Sequence, residues 1–202
     1  MSIDEGYVKY DARWTEGPPP DPELTAELER WRLPLYKAGL VGHYPEHNVG
    51  YGNLSLRSGG PEPGQLQFVI TGTQTGHIAH TDGSHYALVT RADVDKNRVW
   101  SSGPVQASSE ALTHAAIYAL ADSIAAVVHV HSRSLWERHL GVLPTTSETV
   151  AYGTPDMARE FARLWSRGRF RNEGLAIMAG HDEGIVSIGV SLEEAAKRVL
   201  AL

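Results

Sequence analysis

The chain has 202 residues, 42% of them apolar, enough for one sizeable domain but with no apolar run of membrane-spanning length. A formal net charge of −6 argues against nucleic acid or an anionic membrane as partner, whereas a small anion can still be met by local backbone N–H groups. The absence of cysteine excludes disulfides and thiolate metal sites, and the opening "MSIDEGYVKY" lacks the regions of a signal peptide, so a cytoplasmic protein is expected.

Residues 1–20 end in "EGPPP" and read as an arm ahead of a single domain over 21–202. In the arm Val8, Tyr10, Ala12 and Trp14 alternate with Lys9, Asp11 and Arg13, the period of an added edge strand. Asp21-Pro22 is an N-cap followed by proline at the first helical position. The helix it opens runs through "ELTAELERWRLPLYKAG", with a kink or break expected near Pro34. Strands follow at "GNLSLR", "LQFVIT", "YALVTRADVD" and "RVWSS", with "DKN" as a turn. "SSEALTHAAIYALADS" reads as a helix capped by Ser108 or Ser109. After the strand "AAVVHVHSRS", Thr154, Pro155 and Gly168 bracket another helix. "LAIMAGHDEGIVSIG" gives two strands around a turn, and "SLEEAAKRVLAL" a last helix with the capping pair Ser191 and Glu194. This order fits an α+β fold, a mostly antiparallel sheet covered by helices.

Three features carry chemistry. His129 and His131 stand two apart on a strand and so project from one face, as two metal ligands would, or as two half-exposed histidines. Without cysteine a third ligand must be His, Asp or Glu, and His181 in "MAGHDEG" is the best placed, at the end of an apolar strand. Asp182 and Glu183 are expected to face solvent in that turn, with a supporting acceptor role as the alternative. The second feature is Glu110, in the first turn of its helix beside two serines, with His114 four residues on. The loops "GYGNLS" and "TGTQTG" are the third; their glycines let backbone N–H groups turn toward a ligand. His77, His80 and His85, just beyond, read as surface histidines rather than a second metal site.

Taken in order, "GNLSLR", "ITGTQTG", "SSEALTHAAIY", "VVHVHS" and the late histidine turn resemble the class II aldolase/adducin family over roughly residues 25–200. The resemblance implies its three-layer α/β/α fold and a homotetramer with sites at subunit boundaries. It also implies a metal-dependent aldolase acting on a small, phosphorylated keto-sugar through an enediolate. By that resemblance Glu110 is the acid/base, and His129, His131 and His181 hold one divalent ion. Zinc suits an all-imidazole set, which also admits manganese, iron or cobalt. Gly52, Asn53, Thr73, Thr75, Gly76, Ser108 and Ser109 correspond to the phosphate-binding positions. Epimerase, dehydratase or decarboxylase chemistry would use the same site.

The sequence departs from the family where Asp182 and Glu183 follow His181 in place of glycine, and where the segment from Leu143 to Gly153 is shorter. The family's two tyrosines, one from a neighbouring subunit and one from a C-terminal tail, have no clear match, which leaves Tyr152 and His114 as candidate proton donors. Two other readings compete. A cupin-like oxygenase would need Glu137 as a ligand, and a non-catalytic module like the adducin head would lack the metal histidines.

Overall fold

The computed structural model describes residues 6–60 and 65–202; the first five positions of the arm lie outside them. Eight strands form one sheet. They are β1 (Asp11–Glu16), β4 (Asn53–Gly59), β5 (Leu66–Thr71), β6 (Tyr86–Asp93), β7 (Arg98–Gly103), β8 (Ala126–His131), β9 (Leu175–Ile177) and β10 (Gly184–Gly189), in the spatial order β1-β7-β6-β5-β4-β8-β10-β9. Every pairing is antiparallel except the edge pair β1–β7. The strands β4 to β7 form a meander, and β8 then returns to lie between β4 and β10. That return makes β8 a central strand, and all six of its residues are buried. The alternation in the arm does yield an edge strand, with Asp11 opposite Arg98 and their side chains 2.6 Å apart.

Side-chain alternation in the strands divides the core in two. Val128 and Val130 point toward α1 (Pro22–Lys37) and α6 (Leu192–Leu200), where they meet Leu28, Leu35, Ala195 and Val199. Val127, Phe68 and Ile70 face the other way, toward α2 (Ala111–Tyr118), α4 (Pro155–Ser166) and α5 (Arg169–Glu173), packing with Leu112, Phe161 and Phe170. The result is the three-layer α/β/α arrangement, with His129 and His131 on the α2 face. All eight residues of α2 are buried, consistent with its apolar character on every side.

Two local expectations are corrected. Helix α1 is not broken at Pro34 but continues to Lys37. Proline removes one helical N–H, yet Leu28 and Leu35 are fully buried on either side of it, and packing outweighs the lost bond. Neither Ser108 nor Ser109 is the N-cap of α2; that position is Glu110, which therefore precedes the first turn. The Ser108 hydroxyl instead accepts the Glu110 N–H at 3.3 Å. Three further elements were not foreseen: the hairpin of β2 (Gly42–Tyr44) and β3 (Val49–Tyr51), the helix α3 (Arg133–His139), and α5. No helix among the described residues is long and apolar enough to cross a membrane.

Candidate metal centre and adjoining cleft

The register of β8 and β10 places Gly184 opposite His131, so the turn that leads into β10 carries His181 back over the histidine pair. One ring nitrogen from each of His129, His131 and His181 lies within 4.8 Å of the other two, and all three residues are buried. The Nε2 atoms of His129 and His131 are 3.0 Å apart. Burial, reinforced by the neighbouring imidazoles, holds both of these histidines well below their ordinary pKa, so they are neutral at pH 7.

Neutral imidazole is the ligand form. His129 Nδ1 lies 3.2 Å from the Ile185 carbonyl, a hydrogen bond that makes Nδ1 the protonated nitrogen and leaves Nε2 a lone pair. Metal–nitrogen bonds of about 2.0–2.1 Å at tetrahedral angles require ligand nitrogens roughly 3.4 Å apart. The 3.0 Å between His129 and His131 Nε2 is within a few tenths of an ångström of that value, His181 lies within 4.8 Å of both, and a cation would relieve the lone-pair repulsion that crowded neutral imidazoles otherwise suffer. The residues fit a divalent ion.

Glu110 is buried beside them, with Oε1 3.4 Å from His181 Nδ1. The Tyr152 ring stacks on His181 at 4.3 Å, and the Lys9 ammonium of the arm lies 3.6 Å from the centre of the same Tyr152 ring. Tyr10, also from the arm, donates to the Ser108 carbonyl at 2.9 Å and so fixes the two-serine segment. Burial, and then the charge of Glu110, push the Tyr10 phenol above its ordinary pKa.

The seven positions expected to bind phosphate, Gly52, Asn53, Thr73, Thr75, Gly76, Ser108 and Ser109, line one polar cleft. It adjoins the histidines and the carboxylate through the backbone: Asn53 is the register partner of His129, and Ser109 precedes Glu110. The glycines have a packing reason as well. Gly52 has φ +75°, and a Cβ on Gly76 would lie 2.0 Å from the Gly42 carbonyl oxygen. Arg32, fully buried in α1, donates to the Thr75 carbonyl at 3.0 Å and braces the loop from behind. Gln74 of the same loop accepts from Gly50 N–H and donates to the Gly6 carbonyl, tying loop to arm.

Other expectations resolve differently. Glu183 does not simply face solvent. Its carboxylate accepts from the Tyr44 hydroxyl at 2.6 Å and pairs with Arg133 at 3.1 Å, whereas Asp182 is exposed. Glu137 is exposed on α3 and lies outside the histidine cluster, which removes the glutamate a cupin-like site would need. His77, His80 and His85 do not join in a metal-ligating group among the described residues. Lys9, Arg32, Tyr44 and Gln74 went unnoticed in the sequence because each acts through a contact distant along the chain.

His114 lies in the core, its Nδ1 2.7 Å from Ser55 Oγ, and burial lowers its pKa to about 3. The unfolded chain takes up a proton at this histidine below about pH 6.5, and the native one does not until about pH 3. Its share of stability is therefore complete above pH 6.5 and falls as pH drops toward 3. Each histidine held neutral in this way contributes a slope of about 1.4 kcal/mol per pH unit between roughly pH 6 and 4. Denaturant titrations of the metal-free protein should show that slope, smaller by one proton in His114→Gln. An unchanged slope in the variant would contradict the assignment.

The chain belongs to the class II aldolase and adducin family: the model of the class II aldolase and adducin N-terminal domain matches residues 37–202. Among solved structures it is similar to YgbL from Escherichia coli, a candidate aldolase/epimerase/decarboxylase, at 22% identity and a TM-score of 0.64, over 89% of this chain and 84% of that one. A sugar-phosphate aldolase from Thermotoga maritima aligns with a TM-score of 0.65 and 16% identity, covering 89% of this chain and 90% of the other. An L-fuculose 1-phosphate aldolase aligns at 0.63 and 20% over 91% and 84%. At these identities the likeness establishes the fold. No curated protein matches the sequence.

Proposed function

We propose that this chain is a divalent-metal-dependent aldolase that cleaves or forms a carbon–carbon bond in a small phosphorylated keto-sugar. The observation that carries the reading is the buried Glu110 carboxylate, 3.4 Å from His181 in a three-imidazole cluster and directly after the serines of a polar cleft. His129, His131 and His181 would hold the ion, zinc being the metal the donor set suits best. When bound, a divalent ion supplies Lewis-acid polarisation of a substrate carbonyl.

The chain's own residues do the rest. The hydroxyls of Thr73, Ser108 and Ser109 and the N–H groups of Gly52 and Gly76 receive the phosphate. Asn53 orients the substrate between cleft and histidines. Glu110 delivers a proton to the carbon freed when the bond breaks, and removes it in the synthetic direction. Tyr152, stacked on His181, is better placed than His114 to give its phenol proton to the aldehyde oxygen in synthesis, and as phenolate to take the hydroxyl proton back in cleavage, since His114 is committed to Ser55 in the core. The histidine cluster also argues against a purely structural module.

The test is to incubate the purified protein with a panel of ketose 1-phosphates and assay dihydroxyacetone phosphate by coupled reduction. Release of dihydroxyacetone phosphate supports the aldolase. An epimerised, dehydrated or decarboxylated product assigns the same site to a sister reaction instead. Family membership and the exposed Tyr7 and Val142, each 61% accessible, support a homotetramer with sites at subunit boundaries. Light scattering should report four chains, and a monomer at working concentration would remove the shared site.

A further inference from the structure

We infer that Glu183, acting through the Tyr44 hydroxyl, is a positioning residue that holds His131 in the tautomer with its Nε2 lone pair directed into the metal centre. The inference rests on the metal-site reading above. Tyr44 donates to Glu183 Oε2 at 2.6 Å, a charge-assisted bond that uses its only proton. Its oxygen can then only accept, and the group 3.3 Å away is His131 Nδ1. Nδ1 must carry the proton, so Nε2 is left unprotonated. The second carboxylate oxygen, Oε1, is held by Arg133 Nε at 3.1 Å, so Glu183 is fixed at both ends.

A specific alternative makes this control necessary. His129 Nε2 is already a lone pair, set by the Ile185 carbonyl, and it lies 3.0 Å from His131 Nε2. Were His131 protonated at Nε2, it would donate to His129 and close the centre with an internal hydrogen bond. The Tyr44–Glu183 pair opposes that state. Tyr44 also packs against Tyr51 with ring centres 4.6 Å apart, and Tyr51 packs on His131 at 5.5 Å, so the hairpin β2–β3 supports the ring as well as its proton.

The backbone gives an independent reason to assign Glu183 a task. It has φ +67° in the turn closed by Gly184 N–H to the His181 carbonyl, a conformation that favours glycine. A long acidic side chain at such a position works against local preference, and here that side chain holds the tyrosine that touches His131.

Two measurements on the 202-residue chain test the inference. Zinc affinity, read by chelator competition, should fall about 10- to 100-fold in Tyr44→Phe and in Glu183→Gly, and stay within about threefold in Asp182→Asn. Because glycine suits the backbone at 183, Glu183→Gly should keep its melting temperature while losing zinc affinity, which general destabilisation would not produce. The second measurement is the histidine ¹⁵N spectrum of the metal-free protein, with His131 assigned by its loss in His131→Gln. Wild type should show His131 protonated at Nδ1, and Tyr44→Phe should move the proton to Nε2. If His131 keeps its tautomer in Tyr44→Phe, the inference is overturned whatever the affinities. If wild type binds no zinc, the metal-site reading fails, and the tautomer alone decides on the role of Glu183.

Discussion

His131→Ala is expected to strip the divalent ion from the purified protein while leaving the fold in place. Wild type should carry about one ion per chain after dialysis, and the variant less than a tenth of that. Removing one of three imidazoles takes away a metal–nitrogen bond and leaves only His129 and His181 of the cluster. The fold should survive because β8 is held by pairing with β4 and β10 on both sides, and the truncated side chain leaves a space beside the hairpin rather than within either apolar core. A thermal readout separates binding from folding. Zinc at a hundred times its dissociation constant stabilises the native state by about 2.7 kcal/mol, so wild type should melt higher with zinc and the variant should not respond. Full occupancy in His131→Ala would place the ligands elsewhere.

Much of the architecture was legible because its elements are long enough to show their period or carry a chemical stop. Strand β5 alternates Phe68 and Ile70 against Val69, and those residues do face opposite cores. Helix α4 is announced by Thr154, whose hydroxyl caps Met157, and closed by Gly168 at φ +86°. What escaped were elements of three to seven residues. The strands Gly42–Tyr44 and Val49–Tyr51 are too short for alternation to register, and helices α3 and α5 span less than two turns. Of the kink or break expected at Pro34, the break does not occur because the packing of Leu28 and Leu35 holds the helix through it.

The site was legible to the extent that its chemistry is local. The His129–His131 spacing states a shared face, and β8 supplies it; His181 joins because an antiparallel partner strand begins just after it. The supporting contacts are not local. Tyr44 and Glu183 are separated by 139 positions, Lys9 meets Tyr152 from the far end of the chain, and nothing in their neighbourhoods announces either pairing. Glu183 also occupies a backbone conformation that its residue type gives no reason to expect.

Glu110→Gln is expected to lower turnover by about 10²–10⁴ while leaving metal content and substrate binding near wild type. The substitution keeps the size of a fully buried side chain, so neither α2 nor the serines before it need move. What is lost is a group able to take a proton from carbon and return it. Because Ser108, Ser109 and the glycine loops are untouched, KM should change little, and the loss should fall on kcat. The half-reaction isolates the step: with dihydroxyacetone phosphate alone in D₂O, wild type should exchange the proton at the carbon that forms the new bond, and Glu110→Gln should not. Position sharpens the expectation, since Glu110 sits 3.4 Å from His181 and next to the cleft, within reach of a substrate spanning both. Turnover and exchange at wild-type rates in the variant would remove Glu110 from the mechanism. A selective loss of exchange, with the ion retained, would locate the proton transfer on this carboxylate.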